Sequence, residues 1–464
     1  MDVKSGSLSK LVPEKQFLKK VLAFSIPVGL QNMSSAILGI IDVSVISGMG
    51  ETAVAAVSLA NQLFYIVSLI AFGITSGASV YLARSYGQKN SASMRQTFSL
   101  MLFFTVMVNV IIMALCMLMP DMAMRCFTDD NEVIKSGIVY LLIISPMFVI
   151  YSCSSSYVAF FRSVNNPKVP MIATVVSLSL KVVFNFVLIY GFAFIPAMGI
   201  AGAAVASLLS KVIELVIYLI FAGLFKEKEY LFRLSDIKFL KLRPAGEFLK
   251  QTYPVIINES MWGIGISAFN AIFGRMGTCA VSAASIARQL ENLGNAFFYG
   301  IAIGACVSIS FEIGQKHIEN AKQEARKYAL VGFYVGILVM LLMLIIDIPY
   351  VRIFFSGLEE ETQILSMLLI AVYALYMPVR SLASVLIMGV LRAGGDSKKA
   401  MLYDVLPVYL WSLPIGFLLG VTFKFSITVV LAVMMFKRFI KCVFALRRML
   451  SGKWVNYSDI GKDN

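Results

Sequence analysis

Residues 27–89 read PVGLQNMSSAILGIIDVSVISGMGETAVAAVSLANQLFYIVSLIAFGITSGASVYLARSYGQK, and residues 254–316 read PVIINESMWGIGISAFNAIFGRMGTCAVSAASIARQLENLGNAFFYGIAIGACVSISFEIGQK. Laid over one another at an offset of 227, they align without a gap and are identical at 20 of 63 positions. The matches include residues with special backbone roles: Pro27 with Pro254, Gly50 with Gly277, Gly73 and Gly77 with Gly300 and Gly304. Gly87-Gln88-Lys89 falls on Gly314-Gln315-Lys316. A second match follows at nearly the same shift, where Phe161-Arg162 through Met171 falls on Leu391-Arg392 through Met401. A repeat this long makes each half one structural unit.

The solvent for those units is lipid. The 464 residues are 59% hydrophobic and 14% charged, whereas a soluble domain carries about 25% charged residues. Apolar runs of the roughly 20 residues needed to cross a bilayer recur along the chain. Their continuity, without a period of two, selects helices over a barrel. Twelve spans are read at 21–47, 53–83, 96–119, 137–161, 169–194, 199–224, 251–276, 279–311, 328–349, 363–391, 400–423 and 425–443. The last has the shortest clean apolar stretch, interrupted by Lys437 and Arg438.

The expected architecture is all-α and integral to the membrane, with twelve helices in two six-helix lobes. Residues 1–224 form the first lobe, 225–250 a cytoplasmic linker, 251–443 the second lobe and 444–464 a cytoplasmic tail. An offset of six spans keeps the repeats parallel, related by a pseudo-twofold axis along the membrane normal. Such a pair leaves a cleft that can open to either side, the geometry of a secondary transporter.

The net charge of +14 is topological. Of the 40 Lys and Arg, only Arg125, Lys135, Arg275, Arg352 and Lys424 fall on the side opposite the termini. The positive-inside rule then makes both termini cytoplasmic, in a multi-pass cell-membrane protein whose environment is the bilayer. A nucleic-acid partner is not expected. The six cysteines lack metal-ligand spacing and read as structural thiols. The first apolar run is too long for a signal peptide and has no small-residue cleavage site, so it is kept as helix 1.

No enzyme chemistry is visible. The single histidine, His317, sits in a loop, and there is no phosphate-cradling loop, metal spacing or nucleophile triad. Gly263-x-Gly265 reads as a helix-packing contact. Charges at bilayer depth cost about 2.5–3.5 kcal/mol each and are therefore the functional candidates. Lys211 with Glu214, and Arg288 with Glu291, are spaced to neutralise each other on one helix face. Asp42, Lys181, Glu259, Arg380 and Asp404 remain. Asp42 is flanked by Ser44 and Ser47, with Asn32 upstream. Asn258-Glu259 lies one turn past Pro254, which frees the backbone carbonyl of residue 250 and bends the helix. Carboxylate and carbonyl oxygens there suit Na⁺ or a proton. The alternative for these charges is structural pairing, Asp42 with Lys181 or Glu259 with Arg380.

At these residues the chain resembles the multidrug and toxic compound extrusion (MATE) transporters, of the superfamily that also holds polysaccharide and lipid flippases. The marks are Pro27, Gln31 and Asp42, the Gly50 to Leu59 stretch, Arg84 and Gly87. In the second half they are Pro254, Asn258-Glu259, Trp262, Gly277 and Gly314. The Leu391–Asp396 turn with Lys398, then Asp404, Pro414 and Gly452-Lys453-Trp454, complete them. The resemblance covers essentially the whole chain and implies a monomeric antiporter that expels lipophilic, often cationic small molecules in exchange for Na⁺ or H⁺. No other cofactor is implied.

The carry-over is uneven. The family's first-lobe aspartate matches Asp42, but its partner in helix 5 falls on Asn185 (Gly191 is the anchor), and an asparagine one turn earlier falls on Lys181. The second-lobe glutamate matches Glu259, while the acidic residue that some branches carry in helix 10 is replaced in Pro378-Val379-Arg380-Ser381. Coupling is therefore expected at Glu259, with Asp42 and Asp404 as further carboxylates and Na⁺ near Glu259 as the only metal. Gln31, Asn32, Lys181, Asn185, Asn258 and Arg380 are the candidate cleft and charge-partner residues. Lys181 and Arg380 also keep open a flippase or exporter of a lipid-linked or anionic metabolite. A receptor or scaffold of the same fold would bind ligand without flux.

Overall fold

The computed structural model describes residues 14–192, 195–225, Glu229, Asp236 and 242–456; for a few helix residues, Ser44 and Ser47 among them, it describes only the backbone. The linker expected at 225–250 therefore lies mostly outside the described residues, as does the tail beyond Asn456. From Leu242 the chain is already helical.

Among the described residues the chain is helical, apart from turns and one isolated bridge between Phe192 and Ile195. The first half comprises α1 (Lys15–Ser47), α2 (Glu51–Gly87), α3 (Ser91–Leu118), the short α4 (Pro120–Arg125), α5 (Asn131–Ile144), α6 (Pro146–Ser163), α7 (Lys168–Tyr190) and α8 (Gly199–Leu224). The second half begins with α9 (Leu242–Gly274), α10 (Thr278–Gly314), α11 (Ile318–Phe354), α12 (Glu360–Leu375) and α13 (Met377–Ser384). It ends with α14 (Ser397–Pro407), α15 (Leu413–Phe417), α16 (Ile427–Met435) and α17 (Lys437–Leu450). Wider π-helical turns at Val385–Leu391, Val408–Ser412 and Leu418–Thr422 continue α13, α14 and α15 without a break.

These pieces make twelve rods, six in each half. Seven are each long and apolar enough to cross a bilayer, and two more qualify as bent pairs, α5 with α6 and α12 with α13. The rods α1, α9 and α16–α17 fill the remaining places. Apolar side chains face outward along the spans, with Leu115 of α3 at 55% exposed, Ile345 of α11 at 70% and Leu410 after α14 at 72%. Such surface is stable only against lipid.

The repeat read from the sequence is present in the backbone. α2 and α10 are both 37 residues long. Each starts after a glycine with positive φ, 97° at Gly50 and 117° at Gly277, a conformation that a side chain would strain. Each ends on a lysine in the left-handed region, Lys89 and Lys316. The closing hydrogen bonds also repeat, Asn90 N to Ser85 O and His317 N to Glu312 O. The fourth rod of each half is bent next to a proline (Pro146 or Pro378), by 46° and 47°.

The chain divides into two compact units, Leu30–Ser260 and the combination of Met1–Gly29 with Met261–Asn464. The divisions fall inside α1 and α9, close to their prolines, and not at the linker. In the unit of Leu30–Ser260, Gly73 and Gly77 of α2 take the backbone of α9: a Cβ at Gly73 would lie 2.8 Å from Ile256 Cα, and one at Gly77 3.0 Å from Thr252 Cγ2. In the other unit, the repeat partners Gly300 and Gly304 of α10 take α1 in the same way. A Cβ there would meet Ser25 O at 2.6 Å and the Phe24 ring at 3.0 Å. Gly265 packs on Val408, so the Gly263-x-Gly265 pair does serve packing at its second position.

The unit of Leu30–Ser260 has two apolar cores. One is built on Phe98, Phe160, Phe161 and Tyr218, the other on Val67, Leu141, Phe148 and Ile189. The other unit has a core around Phe273, Phe298, Leu369 and Met434. Its last described residues fold back onto the turn after α13. Trp454, 1% exposed, covers Gly394; Asn456 N donates to Gly394 O at 2.9 Å; and Arg448 Nε donates to Asp396 Oδ2 at 2.7 Å. A side chain at residue 394 would collide with Trp454, so glycine is required there.

Candidate functional site

In the unit of Leu30–Ser260, Asp42 of α1 meets Lys181 and Asn185 of α7. The two α7 residues are one turn apart and share a face. Lys181 Nζ pairs with Asp42 Oδ2, and Asn185 Nδ2 donates to Asp42 Oδ1 at 2.7 Å. Three expected site residues are thus brought together. Their pairing is the structural one that the sequence left open for Asp42.

This trio lines a cavity of about 140 Å³ with Ser58, Asn61, Tyr140 and Ser207. Drug-sized ligands occupy pockets of about 300–1,000 Å³, so this space suits water or an ion and not a drug. Tyr140 Oη donates to Asn61 Oδ1 at 3.4 Å, while the buried Asn185 Oδ1 has no hydrogen-bond partner. Gly191, with φ 81°, ends α7. Nearby Tyr190 Oη donates to Val45 O at 2.7 Å and ties α7 to α1.

Gln31 belongs to a second network in the same unit. Arg162 Nη2 donates to Gln31 Oε1 at 2.7 Å, and Gln31 Nε2 donates to Thr174 Oγ1 at 2.9 Å. Thr174 Oγ1 donates onward to Glu214 Oε1 at 3.0 Å. Lys211 Nζ closes the chain on Glu214 Oε2 at 2.5 Å, as the i, i+3 spacing predicted, and lies over the Tyr151 ring. The network spans α6, α1, α7 and α8 through groups whose donors and acceptors match in direction. Arg162 and Thr174 were not singled out as site residues. Arg162 sits at the end of a span, and a single threonine in an apolar helix gives no signal in sequence. Asn32, beside Gln31, is half-buried. Asn258 and Glu259 are buried on α9, 3% and 9% exposed, one turn past Pro254.

The other unit gathers the remaining candidates. Glu291 of α10, 5% exposed, takes Arg380 of α13 and Arg438 of α17, both on its Oε1. This corrects one expectation. Arg288 does not neutralise Glu291; its Nη1 donates instead to Asn270 Oδ1 at 2.6 Å. Two guanidiniums from other rods take the carboxylate in place of the local one. Asp404 accepts from Lys441 Nζ at 2.6 Å. Lys437 places its ammonium 3.9 Å from the Phe269 ring centre, and Arg438 lies over Tyr373. Lys437 and Arg438 entered the sequence reading only as an interruption of the last span, and Lys441 was not singled out.

Asp347 of α11 was also missed, because it sits at the edge of the ninth span. It is 7% exposed, and its Oδ1 has no hydrogen-bond partner. His317 is more than half exposed, with Nδ1 3.5 Å from Glu312, in keeping with a solvated residue. Among the described residues no three His, Cys, Asp or Glu side chains gather as a metal cage.

The MatE family model matches the chain twice, over residues 27–187 and 254–418, once in each half. The chain is similar to the "Probable multidrug resistance protein NorM" of Thermotoga maritima, 24% identical over 96% of this chain and 94% of that protein. Among solved structures it superposes on an outward-facing multidrug resistance MATE transporter of the MOP superfamily, with a TM-score of 0.82 at 17% identity, covering 97% of this chain and 100% of that one. It also superposes on a MOP-superfamily transporter from Pyrococcus furiosus, with a TM-score of 0.78 at 18% identity, covering 97% and 98%. That transporter is described as having a binding pocket whose reverse polarity suggests a different function. With both halves matched by the family model and the twelve-helix fold matched over nearly its full length, the chain belongs to the MATE family of multi-pass membrane transporters.

Proposed function

We propose that this transporter is a cation-coupled antiporter that exports lipophilic small molecules, cationic drugs among them, from the cytoplasm across the cell membrane. It works as a monomer with both termini cytoplasmic, opening alternately to the two sides. Na⁺ or H⁺ is the coupling ion and needs no other cofactor. The observation that carries the reading is the buried Glu259 on α9, beside the buried Asn258 and one turn beyond Pro254 within the same helix. Carboxylate and amide oxygens are hard ligands suited to Na⁺, and the carboxylate alone suits a proton. Asp42 and Asp404 are weaker candidates, because Lys181 and Lys441 already neutralise them. An incoming cation there must displace a lysine.

The test is movement of a fluorescent lipophilic cation in proteoliposomes under separately imposed Na⁺ and pH gradients. Flux driven by one gradient supports the antiporter and identifies its ion. No flux with either, in folded protein, overturns it.

A second reading, export of an anionic or lipid-linked compound, is favoured by one observation. Around Glu291 and Asp404, cations outnumber carboxylates among the described residues of that unit. The polarity ascribed to the Pyrococcus furiosus transporter is in keeping with such divergence inside the superfamily.

A further inference from the structure

The charge balance inside the unit of Met261–Asn464 is uneven. Arg288, Arg380, Lys437, Arg438 and Lys441 act on one another through space, with Asp404 in the same neighbourhood and Glu291 bound to two of them. Five cations therefore face two carboxylates among the described residues. The pairings do not absorb the excess. Arg380 and Arg438 share a single oxygen of Glu291, Lys441 is spent on Asp404, and Arg288 has only a neutral amide.

Two of the cations, Arg438 and Lys437, have no carboxylate of their own among the described residues. Arg438 is 6% exposed, and its Nη1 is buried without a hydrogen-bond partner. Lys437 is 8% exposed, and its ammonium rests on the face of Phe269. Cations at this depth are stable only with a counter-charge. The rods that carry Arg380 and Asp404 are locally widened, with π-helical turns directly after α13 and α14, a feature frequent at functional sites. Trp411 packs on Phe436, the residue before Lys437, with ring centres 5.5 Å apart and the planes tilted by 43°. An apolar aromatic wall thus adjoins the unmatched cations. The edge toward Arg380 and Asp404 is open, with 18% and 22% side-chain exposure.

We propose that Lys437 and Arg438, with Arg380 behind them, form a subsite for an organic anion with an aromatic or apolar body and one phosphate or carboxylate group. The anion supplies the counter-charge that the described residues lack, and its body lies against Phe269, Trp411 and Phe436. This inference rests on the transport reading and selects among its substrates: molecules with an anionic head are held more tightly than neutral or cationic ones of the same body.

The experiment measures binding of 1-naphthyl phosphate, 1-naphthol and (1-naphthylmethyl)trimethylammonium to the purified full-length chain in detergent, with inorganic phosphate as competitor. The expected result is at least tenfold tighter binding of naphthyl phosphate than of the other two, with inorganic phosphate competing only weakly. Lys437→Gln should lower the naphthyl phosphate affinity tenfold or more, and Lys437→Arg should restore most of it. Equal affinity for the three naphthyl compounds, or an unchanged affinity in folded Lys437→Gln, overturns the subsite. If Lys437→Gln does not fold, the wild-type ratio alone decides. Gradient-driven flux of a lipophilic cation by the wild type without anion preference removes the subsite and leaves the transport reading. Anion preference without gradient-driven flux of any of the three removes the transport reading instead.

Discussion

Lys181 of α7 is bound to Asp42 of α1, across 139 positions of chain, at the wall of a cavity of about 140 Å³. An ammonium from the protein itself occupies the place beside a membrane carboxylate where a mobile cation could otherwise sit. Removing the lysine leaves the carboxylate with the Asn185 amide as a donor. Losing one partner of a fully buried pair costs about 3–5 kcal/mol. With both side chains about one-fifth exposed, Lys181→Ala should cost about 1–3 kcal/mol. Thermal unfolding in detergent checks this, and the Lys181→Ala, Asp42→Asn double variant should recover part of the loss.

Glu259→Gln keeps the shape of the side chain and removes its charge. If coupling resides on α9, gradient-driven flux should fall at least tenfold while the protein unfolds at nearly the wild-type temperature. Flux equal to wild type would show that the ion binds elsewhere, and Asp404→Asn would then be tested in the same assay.

Gly300 and Gly73 should not tolerate alanine. A Cβ at Gly300 would lie 2.6 Å from Ser25 O, and one at Gly73 2.8 Å from Ile256 Cα, backbone atoms that cannot swing aside. Each substitution should destabilise by about 1–3 kcal/mol. Gly223→Ala is the control, since no atom lies within 4 Å of its Cβ position, and it should leave the melting temperature unchanged or slightly raised.

Thr174→Val removes the hydroxyl that relays between Gln31 and Glu214. Leaving buried donors and acceptors unmatched costs about 1–3 kcal/mol. Thr174→Ser should recover most of that loss in the same melting experiment, which separates the hydrogen bonds from the packing.

Much of the fold was legible because the repeat fixes backbone geometry as well as sequence. The glycines before α2 and α10 and the lysines after them hold positive φ in both halves. Pro146 and Pro378 mark two bends of nearly the same angle. Local signals of this kind survive in a single sequence. The partners of the charges were harder to read. Lys211 with Glu214 was legible because both sit on one face of one helix. Glu291 takes its partners from positions 89 and 147 residues away, and only packing decides that Arg288 leans toward Asn270 instead. Arg438 looked like the end of a hydrophobic run. Its role depends on α17 being drawn inward by Glu291 and Tyr373.

The seat of Trp454 on Gly394 also orders events during synthesis. The turn after α13 is made early, and the tryptophan that covers it follows only after two more rods have been threaded into the bilayer. Until then the turn's backbone at Gly394 has no cover and Asp396 lacks Arg448. Closure of this half therefore waits for Trp454 to leave the ribosome. A nascent chain cut before Trp454 would present an unfinished surface to the quality-control machinery of the cell, however well its earlier helices had inserted.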